Sequence, residues 1–288
     1  MTSATRPFLF AAEVDGFDLD AYLDRIGFTG PRAATLDTLA GLHRLHLEAI
    51  PFENLDAVLG VPIHLDVGSL QRKLVHGRRG GYCFEQNLLF AHALGALGFR
   101  VTGWLARVLQ DTSPDVVMPR THMALRVHVD DAPYLADVGF GGQTLTRPVP
   151  LRAGTFPGTW LDTFRLRETG EGWTLDGHIE DAFVPLYRVD PQPQTRVDYD
   201  VANWYVSTHP ESRMARQVRV SRWRADRRIT LRGRQLTTLH VDGHRDREIL
   251  HTASDVRSVL AHAFGIELPA GQGMDEALAG ALASGDQA

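Results

Sequence analysis

The hydrophobic pattern of this 288-residue chain changes period at Phe99, and that change limits the possible folds more than any other feature of the sequence. Before it, apolar residues recur at three- and four-residue spacings, at Leu19, Tyr22, Leu23 and Ile26 and again at Leu36, Leu39, Ala40, His43 and Leu47. Such stripes cover one face of an α-helix. A short helix is expected around Leu70 and Leu74. A fourth, over Phe84 to Leu97, is apolar nearly all round, closes at a C′ glycine, Gly98, and is expected to be buried. After Phe99 the period is two, as in Val101, Gly103 and Leu105 or Met123, Leu125, Val127 and Val129, which is the pattern of strands. Further strands are expected at Tyr134 to Phe140, Thr163 to Arg167 and Trp173 to Leu175, so the middle third reads as an antiparallel sheet or barrel. In the last third, Arg219 to Arg224 and Arg228 to Leu239 read as strands. Val256, Val259, Leu260 and Ala263, behind a Ser254 cap, read as a helix. Asp190 to Pro193 is the best boundary candidate.

Composition excludes several functions. Hydrophobic residues at 43%, charged residues at 23% and a mean hydropathy of -0.17 belong to a chain that buries a core, not to a disordered one. No run of about 18 apolar residues is present, and the start MTSATRPFLF lacks a basic stretch followed by a long apolar one, so neither a membrane span nor a secretory leader is expected. Thirty Lys and Arg against 35 Asp and Glu give a net charge of -5, too negative to gather nucleic acid or anionic lipid. The one cysteine, Cys83, can form neither an internal disulfide nor a multi-cysteine zinc site, which points to a reducing, cytoplasmic setting.

That cysteine lies in the most unusual run of the chain, Arg78-Arg79-Gly80-Gly81-Tyr82-Cys83-Phe84-Glu85-Gln86-Asn87, where the buried helix begins. The partial positive charge of a helix N-terminus favours a thiolate, the reactive form of the side chain. Two preceding glycines allow a sharp turn and close backbone approach. A thiol nucleophile needs an imidazole to take its proton, and the imidazole needs a partner that fixes its tautomer. Of thirteen histidines, His122 stands out because it opens a strand whose other face is apolar. If Asp130 and Asp131 form a two-residue turn, paired residue numbers sum to 261. His122 then faces Gly139, and Asp137 lies diagonally from His122 on the same face, about 7 to 8 Å away. Asp137 also sits between Ala136 and Val138, where an unpaired carboxylate would be costly.

The run Arg79 to Glu85, the pair Thr121-His122 before an alternating strand, and Asp137-Val138-Gly139-Phe140-Gly141 resemble the arylamine N-acetyltransferase family. Pro51-Phe52-Glu53-Asn54-Leu55 and Ser207-Thr208-His209-Pro210-Glu211-Ser212 resemble two further signatures of that family. Met214 departs from it, standing where the family pattern has an aromatic residue. The resemblance implies an α+β fold with an N-terminal helical bundle, a central antiparallel β-barrel-like domain and a C-terminal α/β lid, with boundaries at 1–97, 98–202 and 203–288. It also implies a cysteine-protease-like triad of Cys83, His122 and Asp137. The reaction implied is ping-pong. Cys83 takes the acetyl group of acetyl-CoA and passes it to an arylamine or arylhydrazine nitrogen. Acetyl-CoA would be a cosubstrate, with no permanently bound cofactor, and the chain a monomer or homodimer.

Thr121, Gly139, Phe140 and Gly141 are candidates for binding the CoA donor, with glycine-flanked N–H groups as donors to pantetheine or an oxyanion. Phe52 and Phe140 are candidates for a flat acceptor pocket. Nine arginines between Arg213 and Arg234 could include partners for the CoA phosphates. No metal is expected, since His43 and His46 lack a nearby third ligand and His122 and His128 stand about 20 Å apart along a strand. Three other readings share the triad order or part of the site: an amide synthase closing a macrolactam, a papain-like or transglutaminase-like hydrolase, and a non-catalytic binder of CoA or aromatic ligands.

Overall fold

The apolar stripes of the first hundred residues form helices that pack around one of their number. The computed structural model describes residues 16–282 apart from 114, 160, 161, 171, 193, 269–274, 277 and 281, so the start MTSATRPFLF and Pro193 lie outside the described residues. Helices α1 (Leu19–Ile26) and α2 (Leu36–Ala49) begin at Asp18 and Thr35, whose side chains accept from the N–H groups of Ala21 and Thr38. The two-residue strand β1 (Phe52–Glu53) and helix α3 (Leu55–Val58) follow. Helix α4 (Val67–Leu70) runs into a π-helical turn, Gln71–His76. Helix α5 (Cys83–Ala96) is the axis of the bundle, buried throughout Cys83 to Gly95 and closed by Gly98 at φ 85. Its all-round apolarity is what a helix covered on every side requires.

Strands then form an eight-stranded antiparallel, barrel-like sheet. Its members are β2 (Arg100–Val108), β3 (Arg120–Val129), β4 (Ala132–Ala136), β5 (Val149–Pro150), β6 (Gly154–Pro157), β7 (Thr163–Thr169), β8 (Gly172–Ile179) and β9 (Ala182–Val189), in the spatial order β5-β4-β3-β2-β9-β8-β7-β6. On β3, Met123, Leu125, Val127 and Val129 join the helical core, whereas Ala124 joins the core inside the barrel with Trp104, Leu135 and Tyr187. Thus β3 separates the two, and its period-two alternation serves both.

Helices α6 (Arg196–Thr208) and α7 (Arg213–Arg216) lead to a second antiparallel sheet, β10 (Arg219–Trp223), β11 (Arg227–Arg232), β12 (Gln235–His240) and β13 (Arg245–Ile249), to which β1 adds an edge strand beside β10. Helix α8 (Ala253–Val259) and a π-helical turn, Leu260–Phe264, cover this sheet with a third buried cluster that includes Val218, Leu231, Val256 and Phe264. The architecture is α+β. Among the described residues no helix is long and apolar enough to cross a membrane.

Three expectations need correction, and one helix was not expected. The strand expected over Arg228 to Leu239 is a hairpin, because Gly233 at φ 57 turns the chain between β11 and β12. The last helix is capped by Thr252, not Ser254, in a reciprocal box with Asp255. Strand β4 ends at Ala136, short of Phe140. Helix α6 had no counterpart in the apolar pattern because Val197, Val201 and Trp204 on its outer face are exposed while Asn203 and Ser207 are buried.

Gly103 on β2 is where α6 docks. A Cβ there would stand 2.4 Å from the Tyr199 hydroxyl and 2.9 Å from Met123 Cε. Gly103→Ala is therefore expected to cost about 1–3 kcal/mol through overpacking. Thermal unfolding should show a midpoint lower by about 2 to 10 °C, and an unchanged midpoint would contradict this packing.

Candidate active site

Cys83 occupies the first turn of α5, where a dense set of charges fixes the chain that leads into it. Glu85 accepts from the Tyr82 N–H at 3.0 Å and takes the Lys73 ammonium at 2.7 Å, and Lys73 reaches Asp56 at 2.6 Å. Arg79 bonds to Glu53 at 2.7 Å and to Asp56 at 2.9 Å. Glu53 and Glu85 are almost wholly buried, so these pairings offset a large desolvation cost. Burial alone would push the Lys73 ammonium down, yet Glu85, Glu53 and Asp56 raise its pKa above the ordinary lysine value. Gly80 and Gly81 serve close approach. A Cβ on Gly80 would come within 2.0 Å of the Pro51 carbonyl oxygen, and one on Gly81 within 2.8 Å of the Glu85 side chain. Neither has a positive φ, so the constraint is space and not a left-handed turn.

His122 reaches the site through an irregularity in β3. Ala106 pairs with His122 but Arg107 pairs with Arg120, which leaves Thr121 as an extra residue in a β-bulge. The freed Thr121 carbonyl accepts from Cys83 Sγ at 3.7 Å. His122 Nε2 bonds to Asp137 Oδ2 at 2.7 Å, and the ring lines the same cavity as Cys83. Phe140 and Tyr187 hold the ring from two sides, with centroids 5.0 and 4.8 Å away.

Asp137 is fully buried just beyond β4. The turn Asp130-Asp131 has both residues at positive φ, and pairs such as Leu125 with Ala136 and Val129 with Ala132 follow the expected register. The ladder stops there, however, so the expected pairing of His122 with Gly139 does not form. Asp137 instead reaches His122 from a tight loop. Its Oδ1 accepts from the Gly139 N–H at 2.8 Å and from Asn87 Nδ2 at 2.9 Å, while the Asp137 N–H donates to His43 Nε2 at 3.3 Å. Thr144 Oγ1 donates to the Asp137 carbonyl and accepts from the Phe140 N–H. The N–H groups of Gly139 and Phe140 are thus engaged within the loop, contrary to the expectation that they donate to pantetheine or an oxyanion.

Electrostatics follow from these contacts. Burial favours a neutral His122 ring, but the charge of Asp137, their hydrogen bond and Cys83 outweigh it and raise the His122 pKa to about 10. Burial likewise favours a neutral Asp137, yet His122, Asn87 and the Gly139 N–H hold its carboxyl below the usual range. His43 and His46 are driven by burial to about 4 and about 3 and stay neutral. His46 bonds to Tyr22 and Gln86, and His43 lies against Asp137, so both are structural supports of the bundle.

A cavity of about 220 Å³ opens over Cys83, walled by Phe52, Thr121, His122, Gly139, Phe140 and Met214 among others. Gly141 belongs to a neighbouring cavity of about 410 Å³, which shares Phe52, Phe140 and Met214 with the first. The structure therefore gathers Cys83, His122, Asp137, Thr121, Gly139, Phe140 and Phe52 at one site and sets Gly141 beside it. Asn87 and Tyr187 were missed. Asn87 had a readable signal, an amide four residues after Cys83 on a buried helix and hence on the same face. Its Nδ2 also donates to the Met123 carbonyl at 2.8 Å and its Oδ1 accepts from Val138 at 3.1 Å. Nothing in the sequence near Tyr187 signalled its place: its hydroxyl faces Asp137 without a well-formed hydrogen bond, and burial first and that carboxylate second raise its pKa well above the ordinary value.

A family model described as N-acetyltransferase matches residues 35–272. An arylamine N-acetyltransferase of Mycolicibacterium smegmatis is 41% identical over 255 residues, covering 87% of this chain and 92% of that relative. A Salmonella typhimurium relative, named arylamine N-acetyltransferase / N-hydroxyarylamine O-acetyltransferase, is 38% identical over 227 residues, covering 78% of this chain and 80% of its own. Among solved structures, the arylamine N-acetyltransferase of Mycobacterium marinum in complex with CoA is 37% identical and superposes with a TM-score of 0.87 over 91% of this chain and 98% of that one.

A His122 pKa raised above its unfolded value of 6.5 to about 10 gives a stabilising contribution that is complete below about pH 6.5 and fades as pH rises through about 10. Nitrogen-detected NMR of the His122 ring, assigned by its loss in His122→Gln, should therefore show an imidazolium at pH 8. In Asp137→Asn, where burial is no longer opposed, the ring should be neutral at that pH. A neutral wild-type ring at pH 8 would contradict the ion pair.

Proposed function

The chain belongs to the arylamine N-acetyltransferase family and is an N-acetyltransferase, and from that premise we propose that Cys83, His122 and Asp137 form a cysteine-protease-like triad that relays the acetyl group of acetyl-CoA to an arylamine or arylhydrazine nitrogen. The observation that carries this reading is that Cys83 and His122 line the floor of one cavity while the buried Asp137 bonds to His122 from behind at 2.7 Å.

In the first half-reaction the Cys83 thiolate attacks the thioester carbonyl carbon of acetyl-CoA. The bond from that carbon to the CoA sulfur breaks, and CoA leaves as a thiol with the proton given by the His122 imidazolium. The exchange replaces one thioester by another and is nearly isoenergetic. In the second, the amine nitrogen attacks the acetyl carbon on Cys83, His122 takes the proton that the nitrogen sheds, and the Cys83 sulfur departs as a thiolate. The His122 imidazolium and the Cys83 thiolate with which the proposed cycle began are thereby restored. Asp137 fixes the ring so that Nδ1 faces the sulfur and stabilises the cation in both halves. Thr121, Gly139, Phe140 and Gly141 are proposed to contact the donor, and Phe52 with Phe140 to line the acceptor pocket. Met214 in place of an aromatic residue narrows the aromatic wall on that side.

The division into a helical part, residues 1–97, a barrel part, 98–202, and an α/β lid, 203–288, belongs to the same proposal. The buried clusters follow it in part: the barrel and the lid each have a largely separate cluster, while the helical cluster also takes in Val101, Leu125, Tyr199 and Trp223, and α6 crosses from the second part into the third. A cytoplasmic setting is supported by the chain's single, unpaired cysteine.

Incubation with acetyl-CoA alone, followed by mass spectrometry of the peptide containing Cys83, should reveal one acetyl adduct on that residue. Cys83→Ser should form no adduct by the same route and lose at least about a thousandfold in turnover while folding normally. An adduct elsewhere, retained turnover in the serine variant, or peptide cleavage in place of acetyl transfer would overturn the reading.

A further inference from the structure

Arg219 stands at the seam of the two cavities and lines both. It opens β10, where its backbone N–H donates to Asn54 Oδ1 at 2.7 Å, and it pairs across the sheet with Arg232 on β11. Its side chain is mostly enclosed, and its Nε is buried without a hydrogen-bond partner. Burial first, and then Arg232 and Arg213 as like charges, push its pKa down to about 10. Asp111 offsets them in part, but its carboxylate is drawn toward Arg232, 3.7 Å away, and its carbonyl accepts from Arg213 at 3.1 Å. The other carboxylates around the two cavities have partners of their own. Glu211 lies 3.5 Å from Arg216, and Glu180 lies 3.6 Å from Arg245.

Three guanidinium groups therefore converge where one carboxylate is shared among them, and the most enclosed of the three has its Nε unanswered. An enclosed cation without a counterion is costly unless something supplies the charge. The planar fork of arginine matches a phosphate better than any other common anion except a carboxylate. The larger cavity continues the positive lining with Arg228, Arg245 and Arg247, of which Arg228 is engaged by Asp162 at 3.3 Å.

Resting on the reading of Cys83 as the acetyl carrier, we propose that Arg219, flanked by Arg213 and Arg232, binds a phosphate of the acyl-CoA donor. The thioester end then lies in the cavity over Cys83, and the nucleotide end extends into the larger one across β10 to β13. The acceptor, which carries no phosphate, does not use this contact. Arg219 acts on affinity for the donor and not on the reacting atoms.

The test compares wild type with Arg219→Gln on three donors: acetyl-CoA, acetyl-dephospho-CoA and S-acetylpantetheine, which has neither the diphosphate nor the 3′-phosphate. The loss of kcat/KM in the variant should be about tenfold or more greater on acetyl-CoA than on S-acetylpantetheine, as expected for a charge-assisted contact, and should sit in KM. Arg219→Lys should recover part of it. A loss that persists on acetyl-dephospho-CoA assigns the diphosphate, and one that vanishes there assigns the 3′-phosphate. Equal losses on acetyl-CoA and S-acetylpantetheine, or no loss on either, would overturn the proposal. Should Arg219→Gln fail to fold, the exposed pair Arg213→Gln and Arg232→Gln carries the same donor-dependent expectation. Failure of wild type to acetylate Cys83 from any of the donors would instead overturn the reading on which this rests.

Discussion

A carboxylate with no access to water, Asp137, is the group on which the rest of the site depends. Burying a charge costs several kcal/mol unless it is paired and its remaining lone pairs are filled. Asp137 meets that condition only because three parts of the chain arrive together: His122 from β3, Asn87 from α5 and the Gly139 N–H from its own loop. Each partner presupposes the others. Gly139 has no room for a side chain, since a Cβ would stand 2.7 Å from Asn87 Nδ2 and 2.8 Å from Cys83 Cα. The loop carrying the acid is therefore pressed directly against the helix carrying the thiol, and the geometry of the site follows from the packing of helix on sheet.

A second buried set of charges holds the other side. Lys73, Arg79, Glu53, Asp56 and Glu85 join β1, α3, the π-helical turn and the start of α5. Asn54, next to Glu53, donates to the carbonyls of Met214 and Gln217 and accepts from the Arg219 N–H. The family-like segments Pro51 to Leu55, Arg79 to Glu85 and Ser207 to Ser212 thus meet in space around the entrance to the cavity. Their polar residues mostly serve the scaffold, while Cys83 and Phe52 face the cavity.

Much of this was legible in the residues. The two periods separated helices from strands because one-sided and all-round burial leave different traces. The Asp130-Asp131 turn set the β3 to β4 register because a two-residue loop leaves no freedom in pairing. The bulge at Thr121 was not legible, since an extra residue changes no side-chain type. The early end of β4 was hidden because Asp137, Val138 and Gly139 continue the alternation while their N–H groups go to His43 on α2, to Asn87 on α5 and to the loop itself. Strand β9 contains Pro185, which speaks against a strand in sequence, yet it pairs with β8 across a register shift between Leu175 and Asp176. Helix α6 was concealed by the exposed Val197, Val201 and Trp204. Arg219 was one of nine arginines in its segment, and what distinguishes it is its place on the lining of both cavities, which no sequence pattern shows.

The central claim is that Cys83, His122 and Asp137 act as one unit held by a buried ion pair. A kinetic cycle on acetyl transfer tests it most directly, comparing His122→Gln, Asp137→Asn and the double variant under one set of conditions. If the three act together, the double variant should be no more than about threefold slower than the worse single variant, because losses within a unit do not add. A double loss equal to the product of the single losses would mean that His122 and Asp137 work separately, and would contradict the account.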